Sequence, residues 1–247
     1  MKRRRIVATI EARMTSSRLP GKVLLPAAGR PMLGHLVRRL KKVASLSRIV
    51  LATTANKTDD VLEGFAKKSD IAVFRGSEDD VMGRVLNAAE SAGADIVVEI
   101  TGDCPIIDPS IVEQCVQMFL KNDCDYLSNV IHRSYPIGMD TQVFPLTVLR
   151  RSAAMTRDPL DREHVSLHIC KHPQLFRHIH LLPPPELYWP ELGLTLDEEA
   201  DYMLLRKIIE HFDKTNPFFS CGEILRLLKQ RPGWVKINKN VKRKGTE

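Results

Sequence analysis

The strongest constraint on this fold is an alternation in the first 130 residues. Short β-branched apolar runs are separated by stretches whose apolar residues recur at helical spacing. Residues 6–10, 48–52, 71–74 and 94–100 read as strands apolar enough to be buried on both faces. Between them, residues 31–43 place Met32, Leu33, Leu36, Val37, Leu40 and Val43 on one helical face, with Pro31 suited to the first turn. Residues 59–68, 79–92 and 111–120 predict three more helices. Strands joined by helices of this length form right-handed βαβ units and a parallel sheet. The expectation is therefore an α/β fold, mainly parallel and flanked by helices.

The second half is less regular. Strands are expected at 140–144, 176–181 and 193–196. Helices are expected at 159–170, 198–212 and from 224 onward. No repeat, low-complexity tract or long linker divides the chain. The organisation expected is one domain over 1–247, with a core at about 5–215, an insertion-like lobe at about 132–185 and a basic tail at 236–247.

Charge excludes one class of partner. The formal charge is +7, but four basic groups lie in residues 1–5 (Lys2, Arg3, Arg4, Arg5), and five, with one acid, lie in 236–247. The remainder holds 28 basic and 29 acidic residues, so the body has no basic excess for nucleic acid. The ends read as solvated, and removing residues 238–247 is expected to change activity and melting temperature little. Five cysteines without a Cys-x-x-Cys fit reduced thiols rather than a disulfide framework or zinc site. The start MKRRR runs into an apolar stretch too short for a signal-peptide core or membrane span. A cytoplasmic protein with no membrane partner is expected.

In open α/β sheets, ligands collect at the carboxyl ends of the strands, at the switch in strand order. Four features fall there. The loop 11–22 holds Arg13, Arg18, Lys22, three hydroxyls including Ser17, and Gly21. Cations and backbone N–H groups of this kind suit a polyphosphate, although a solvated basic loop has the same composition. It is not a Walker A loop: Ser16 stands where the first glycine is needed and Val23 where a hydroxyl is needed. Asp103, in Thr101-Gly102-Asp103-Cys104-Pro105, follows a strand and can hold a hard cation or shape a turn. Asp197 can do the same or cap the next helix. Mg²⁺ is commonly held by one or two carboxylates plus substrate phosphates, so the two aspartates mean more together. Gly76-Ser77-Glu78-Asp79-Asp80 can cap a helix and line the pocket. His164, His168 and His172, four apart, allow a metal stripe or ordinary surface and pocket histidines.

Three segments carry a family resemblance. They are Ala12-Arg13 through Arg18-Leu19-Pro20-Gly21-Lys22 with Gly29-Arg30-Pro31-Met32, Phe74 through Val81, and Ile100 through Asp108. With Glu163-His164-Val165, they resemble the cytidylyltransferases that activate acidic sugars, such as the CMP-Kdo and CMP-sialic acid synthetases. The SpsF-like spore coat polysaccharide branch is the nearer match. Asp197-Glu198-Glu199-Ala200-Asp201 resembles that family's Asp-x-x-Glu-Asp segment with its proline and second acid altered. The resemblance covers about residues 5–215. It implies a Rossmann-like nucleotide-diphosphosugar transferase fold, usually a homodimer. It also implies transfer of CMP from CTP to a sugar, a 2-keto-3-deoxy sugar acid for example, with release of pyrophosphate for cell-surface polysaccharide synthesis.

On that reading Arg13 and Lys22 clamp the triphosphate and are catalytic. Ala12, Arg13, Ser17, Arg18, Gly21, Lys22, Gly76, Ser77, Asp79 and Thr101 contact the nucleotide. Asp103 and Asp197 hold Mg²⁺. Asp140, Glu163 and His164 face the sugar. Two alternatives are a metal-dependent glycosyltransferase, which would normally carry Asp-x-Asp where Pro105 completes the triplet, and a catalytically silent module of the same fold.

Overall fold

The structure is a computed structural model that describes residues 4–243; Lys2, Arg3, Lys244 and Glu247 of the basic ends lie outside the described residues. The strands are β1 Ile6–Glu11, β2 Pro26–Ala27, β3 Arg30–Pro31, β4 Arg48–Thr54, β5 Ala72–Gly76, β6 Ile96–Thr101, β7 Tyr126–Ser128, β8 Gln142–Pro145 and β9 His178–His180. The helices are α1 Met32–Leu40, α2 Asp60–Lys68, α3 Val81–Ser91, α4 Pro109–Lys121, α5 Leu146–Met155, α6 Pro159–Glu163, α7 Leu167–Lys171, α8 Glu199–Phe212, α9 Cys221–Gln230 and α10 Pro232–Val235.

Seven strands form one sheet in the order β5-β4-β1-β6-β8-β7-β9, while β2 and β3 pair separately. The first four are mutually parallel, β8 runs antiparallel to β6 and β7, and β9 is parallel to β7. The chain builds outward from β1 through β4 to β5, then returns to place β6 on the other side of β1. The switch in strand order therefore lies between β1 and β6, where a crevice opens at their carboxyl ends. Residues 132–185, read from sequence as an insertion-like lobe, contribute β8 and β9 to this same sheet.

Alternation along β1 feeds two cores. Ile6, Ala8 and Ile10 join Leu33, Leu36, Val112, Leu205 and Ile224 on one face. Val7 joins Met82, Val85, Phe144 and Leu149 on the other. The second face turns polar toward the carboxyl ends, where Thr9 registers with Glu99, Glu11 with Thr101, and Glu99 with Gln142.

The first-half strands and helices that the sequence predicts are found to within a few residues, while the short β2–β3 pair was not predicted. Pro31 precedes α1 as its cap in extended conformation rather than starting it. The second half differs in three places. Helix α5 and strand β7 have no counterpart in the sequence reading. The expected strand at 193–196 is reduced to one bridge, Ile137 with Gly193. The expected helix at 159–170 is two short helices, broken after Glu163. The break has a physical cause in buried Asp161, whose carboxylate accepts from Thr156, His168 and Lys171 at 2.8, 3.1 and 2.9 Å. In a continuous helix residues 168 and 171 would lie about 10 and 15 Å along the axis from Asp161. The histidine stripe is lost with the helix: His168 belongs to Asp161 and packs against the tilted ring of His172, while His164 is exposed at the end of α6. Among the described residues no three His, Cys, Asp or Glu side chains gather as a metal site.

Candidate active site

Loop 12–22 leaves β1 and folds back through Gly21, whose positive φ of 71° allows its N–H to reach the Met14 carbonyl at 2.9 Å. Gly102 brings the β6 loop against it. Its N–H donates to the Glu11 carbonyl at 2.8 Å, and a Cβ there would stand 2.6 Å from that oxygen. A third strand of chain completes the wall. The Leu196 N–H donates to the Asp103 carbonyl at 2.8 Å, which sets Asp197 beside Asp103. The two aspartates do meet, but by loop pairing and not, as the sequence reading supposed, because each ends a sheet strand.

Lys22 sits between them. Its Nζ lies 3.2 Å from Asp103 and 3.3 Å from Asp197, with only 12% of its side chain exposed. Burial opposes the Asp103 charge, yet Lys22 holds its carboxyl below the ordinary range. Asp197 goes the other way: burial and the Asp103 charge raise it, against Lys22 and Arg18. Lys22 is the cation shared by both carboxylates. Arg18 adds a contact to Asp197 at 2.7 Å and donates to the Lys242 carbonyl at 2.9 Å.

Asp197 does not cap α8, so that alternative is set aside. Glu198 is the cap, and Asp201 accepts from both the Asp197 and Glu198 N–H groups at 3.0 Å. This capping box leaves the Asp197 carboxylate turned to the cations. Its spacing, an acid three residues beyond the cap, was readable in Glu198-Glu199-Ala200-Asp201.

The solvated-tail expectation is corrected for residues 238–243. Asp201 is fully buried and accepts from Asn238 at 2.7 Å and Arg243 at 2.8 Å, and Arg243 also reaches Asp197 at 3.5 Å. A chain ending at Ile237 should lose about 3 kcal/mol of stability, because the buried Asp201 carboxylate keeps its backbone donors on one oxygen but loses both side-chain partners, one of them its counter-charge, on the other. A thermal or urea melt indistinguishable from wild type would show that these contacts contribute nothing.

The other expected residues fall into three groups. Arg13 is half-exposed and pairs with Glu78 at 2.7 Å; Glu78 also accepts from Thr15 and Asn56. The Thr15 hydroxyl chiefly, then Asn56 and Arg13, hold the Glu78 carboxyl low against partial burial. The sequence reading gave residues 76–80 both capping and pocket-lining roles without separating them; Asp80 caps α3 by accepting from Gly83, and Glu78 is the acid that holds Arg13. Gly76 ends β5, Ser77 supports the Asp80 N–H, and Ser17, Asp79 and Thr101 are exposed around the crevice. Ala12 is buried beneath Gly102. Asp140 pairs with Arg133 at 2.5 Å, in a loop that Gly138 packs against the Leu194 carbonyl. Glu163, the last residue of α6, and His164, the residue after it, are exposed.

A family model described as cytidylyltransferase matches residues 7–231. The chain belongs to the cytidylyltransferase family. This cytidylyltransferase is 32% identical to the spore coat polysaccharide biosynthesis protein SpsF of Bacillus subtilis, over 92% of this chain and 95% of that one. A cytidylyltransferase structure from Leptospira borgpetersenii superposes with TM-score 0.87 at 32% identity, covering 98% of each chain. A CMP:2-keto-3-deoxy-manno-octonic acid synthetase complexed with CTP shares the fold, at TM-score 0.62 and 19% identity over 84% of this chain and 99% of that one. The expected α/β nucleotide-transferase fold and family are thus those found. No helix of the described residues is long and apolar enough to cross a membrane.

Proposed function

We propose that this cytidylyltransferase moves CMP from CTP to a sugar hydroxyl at the crevice between β1 and β6. The observation that carries the proposal is the seat of Lys22 between Asp103 and Asp197 at the switch in strand order. A cation locked against two acids, with two arginines on the same loop, is a charged centre built before any ligand arrives. Such preorganisation is what phosphoryl chemistry requires.

The residues fit a hard divalent ion. Asp103 and Asp197 offer two adjacent carboxylates, joined by Lys22 with Arg18 and Arg243 on Asp197, and phosphate oxygens and water would complete the shell. Asp103 and Asp197 would hold Mg²⁺, which when bound supplies electrostatic stabilisation of the α-phosphate. Lys22 and Arg18 would turn from the carboxylates to the triphosphate. Lys22 would then offset charge building on pyrophosphate as it departs. Arg13, already anchored by Glu78, would steady the same phosphates from the β5–α3 side. In the reaction the sugar oxygen bonds to the α-phosphorus, and the bond to the β-bridging oxygen breaks with its electron pair leaving on pyrophosphate. The hydroxyl proton passes to solvent. The relatives' printed roles support CTP as donor, a sugar acid among acceptors, and a place in polysaccharide synthesis.

Crossing the four nucleoside triphosphates with a panel of sugar acids and neutral and amino sugars tests the proposal. CTP-selective pyrophosphate release that requires a sugar is expected. Release from no triphosphate, or release indifferent to the base, would contradict it.

A further inference from the structure

Asp59 stands directly before α2, where a helix cap is expected, yet its side chain makes no cap. It is fully buried. Its carboxylate turns instead to the end of β4 and to the loop that leaves β1. One oxygen accepts from the Met14 N–H at 2.8 Å. The other accepts from the Thr53 hydroxyl at 3.0 Å, the Thr54 hydroxyl at 2.6 Å and the Thr54 N–H at 3.2 Å. Burial opposes the charge, but the Thr54 hydroxyl, then the Met14 N–H and the Thr53 hydroxyl, hold the carboxyl below the ordinary range. A buried carboxylate is costly where a neutral residue could serve. Capping α2 or closing the turn after β4 would need only Ser, Thr or Asn. The bond that sets Asp59 apart is the one to Met14, forty-five residues earlier.

Met14 is where the loop between β1 and Lys22 is stapled. Asp59 holds its N–H, and its carbonyl accepts from the Gly21 N–H at 2.9 Å. The residue after Gly21 is Lys22, seated between Asp103 and Asp197. On either side of Met14, the Arg13 guanidinium and the Thr15 hydroxyl both donate to Glu78, at 2.7 and 2.6 Å. Three consecutive residues are thus fixed by two acids from two neighbouring turns, one after β4 and one after β5. Glu78 holds side chains, whereas Asp59 holds the backbone itself. A shift of the Met14 peptide would carry Arg13 and Gly21 with it, and Lys22 behind Gly21. Misplacing a group that meets the reacting centre by about 1 Å costs on the order of 100-fold in rate.

We infer that Asp59 is a positioning residue for the transfer: through the Met14 peptide it sets Arg13 and Lys22 for the triphosphate, without touching the substrate itself. The inference rests on the cytidylyl-transfer reading above.

Asp59→Asn separates the staple from the turn. The variant has one acceptor oxygen where Asp59 has two, so it cannot accept from both the Met14 and the Thr54 N–H groups. Three donors on the Thr53–Thr54 side outbid one from Met14, so the amide oxygen stays with the turn and its NH₂ faces Met14. Asp59→Ala removes both sets of bonds. Equilibrium binding of CTP and of CMP is measured for wild type and both variants at one Mg²⁺ concentration, beside a thermal melt. CMP lacks the two outer phosphates that Arg13 and Lys22 are proposed to hold. Wild type is expected to prefer CTP. Both variants should lose at least about 10-fold in CTP affinity, the size of one charge-assisted contact, while CMP affinity stays within about 3-fold of wild type. A merely structural residue would weaken both nucleotides alike. Equal losses for CTP and CMP, or variants that keep the full preference for CTP, would overturn the assignment. Either variant carries the test should the other fail to fold. Wild type that binds no CTP, or binds CMP as tightly as CTP, would instead bring down the cytidylyl-transfer reading itself.

Discussion

Replacing Lys22 by Ala is expected to slow pyrophosphate release at least about 30-fold, equivalent to about 2 kcal/mol of transition-state stabilisation. As an isolated loop lysine, Lys22 would be expected to leave the fold untouched when removed. Its position changes that expectation. The ammonium is the group bridging Asp103 and Asp197, and its side chain is only 12% exposed. Without it the two carboxylates face each other with Arg18 and Arg243 on one side only. The ligand-free protein should therefore also lose about 1–3 kcal/mol of stability. Adding Asp197→Asn to Lys22→Ala removes the stranded repulsion, so the melting temperature should partly recover while turnover does not. Wild-type turnover by a folded Lys22→Ala protein would remove Lys22 from the mechanism.

Larger catalytic losses are expected at the aspartates themselves. Asn keeps the shape of Asp but is a neutral and poorer ligand for Mg²⁺. At Asp103 the backbone carbonyl, not the side chain, pins the Leu196 segment, so Asn leaves that clasp in place. At Asp197 the helix cap is already made by Glu198 and Asp201, so Asn removes no cap. Asp103→Asn loses one ion pair at a side chain 25% exposed and should melt within about 1 kcal/mol of wild type. Asp197→Asn loses contacts to Lys22, Arg18 and Arg243 at a side chain 12% exposed and should lose about 1–3 kcal/mol. Both should lose at least about 100-fold in turnover. A stability loss without a catalytic defect would return either residue to a purely structural role.

The first half of the fold was legible because its signal is local. Each strand is an apolar run and each helix an amphipathic stretch, and strands joined by helices of that length run parallel. Asp103 and Lys22 were legible for the same reason, since each sits in a loop at the carboxyl end of a strand. What sequence hid was set by long-range pairing. Asp197 reaches Asp103 through the Leu196 clasp across ninety-odd residues, not through a strand of its own. The helix break after Glu163 depends on Asp161 finding Lys171 and His168. Asn238 and Arg243 looked like parts of a solvated basic end because nothing local in them predicts a buried Asp201. Glu11 and Glu99 are single acids in otherwise apolar strands, and only the register of β1 with β6 places them on one face.

The most direct test needs no knowledge of the acceptor. It is the equilibrium affinity for CTP as a function of Mg²⁺ concentration, measured for wild type, Asp103→Asn and Asp197→Asn. If the crevice between β1 and β6 holds the triphosphate together with a cation on those two carboxylates, wild type binds CTP and Mg²⁺ tightens that binding. The tightening should be lost in both variants. Absence of CTP binding by wild type, or the same Mg²⁺ dependence in all three proteins, would contradict the account.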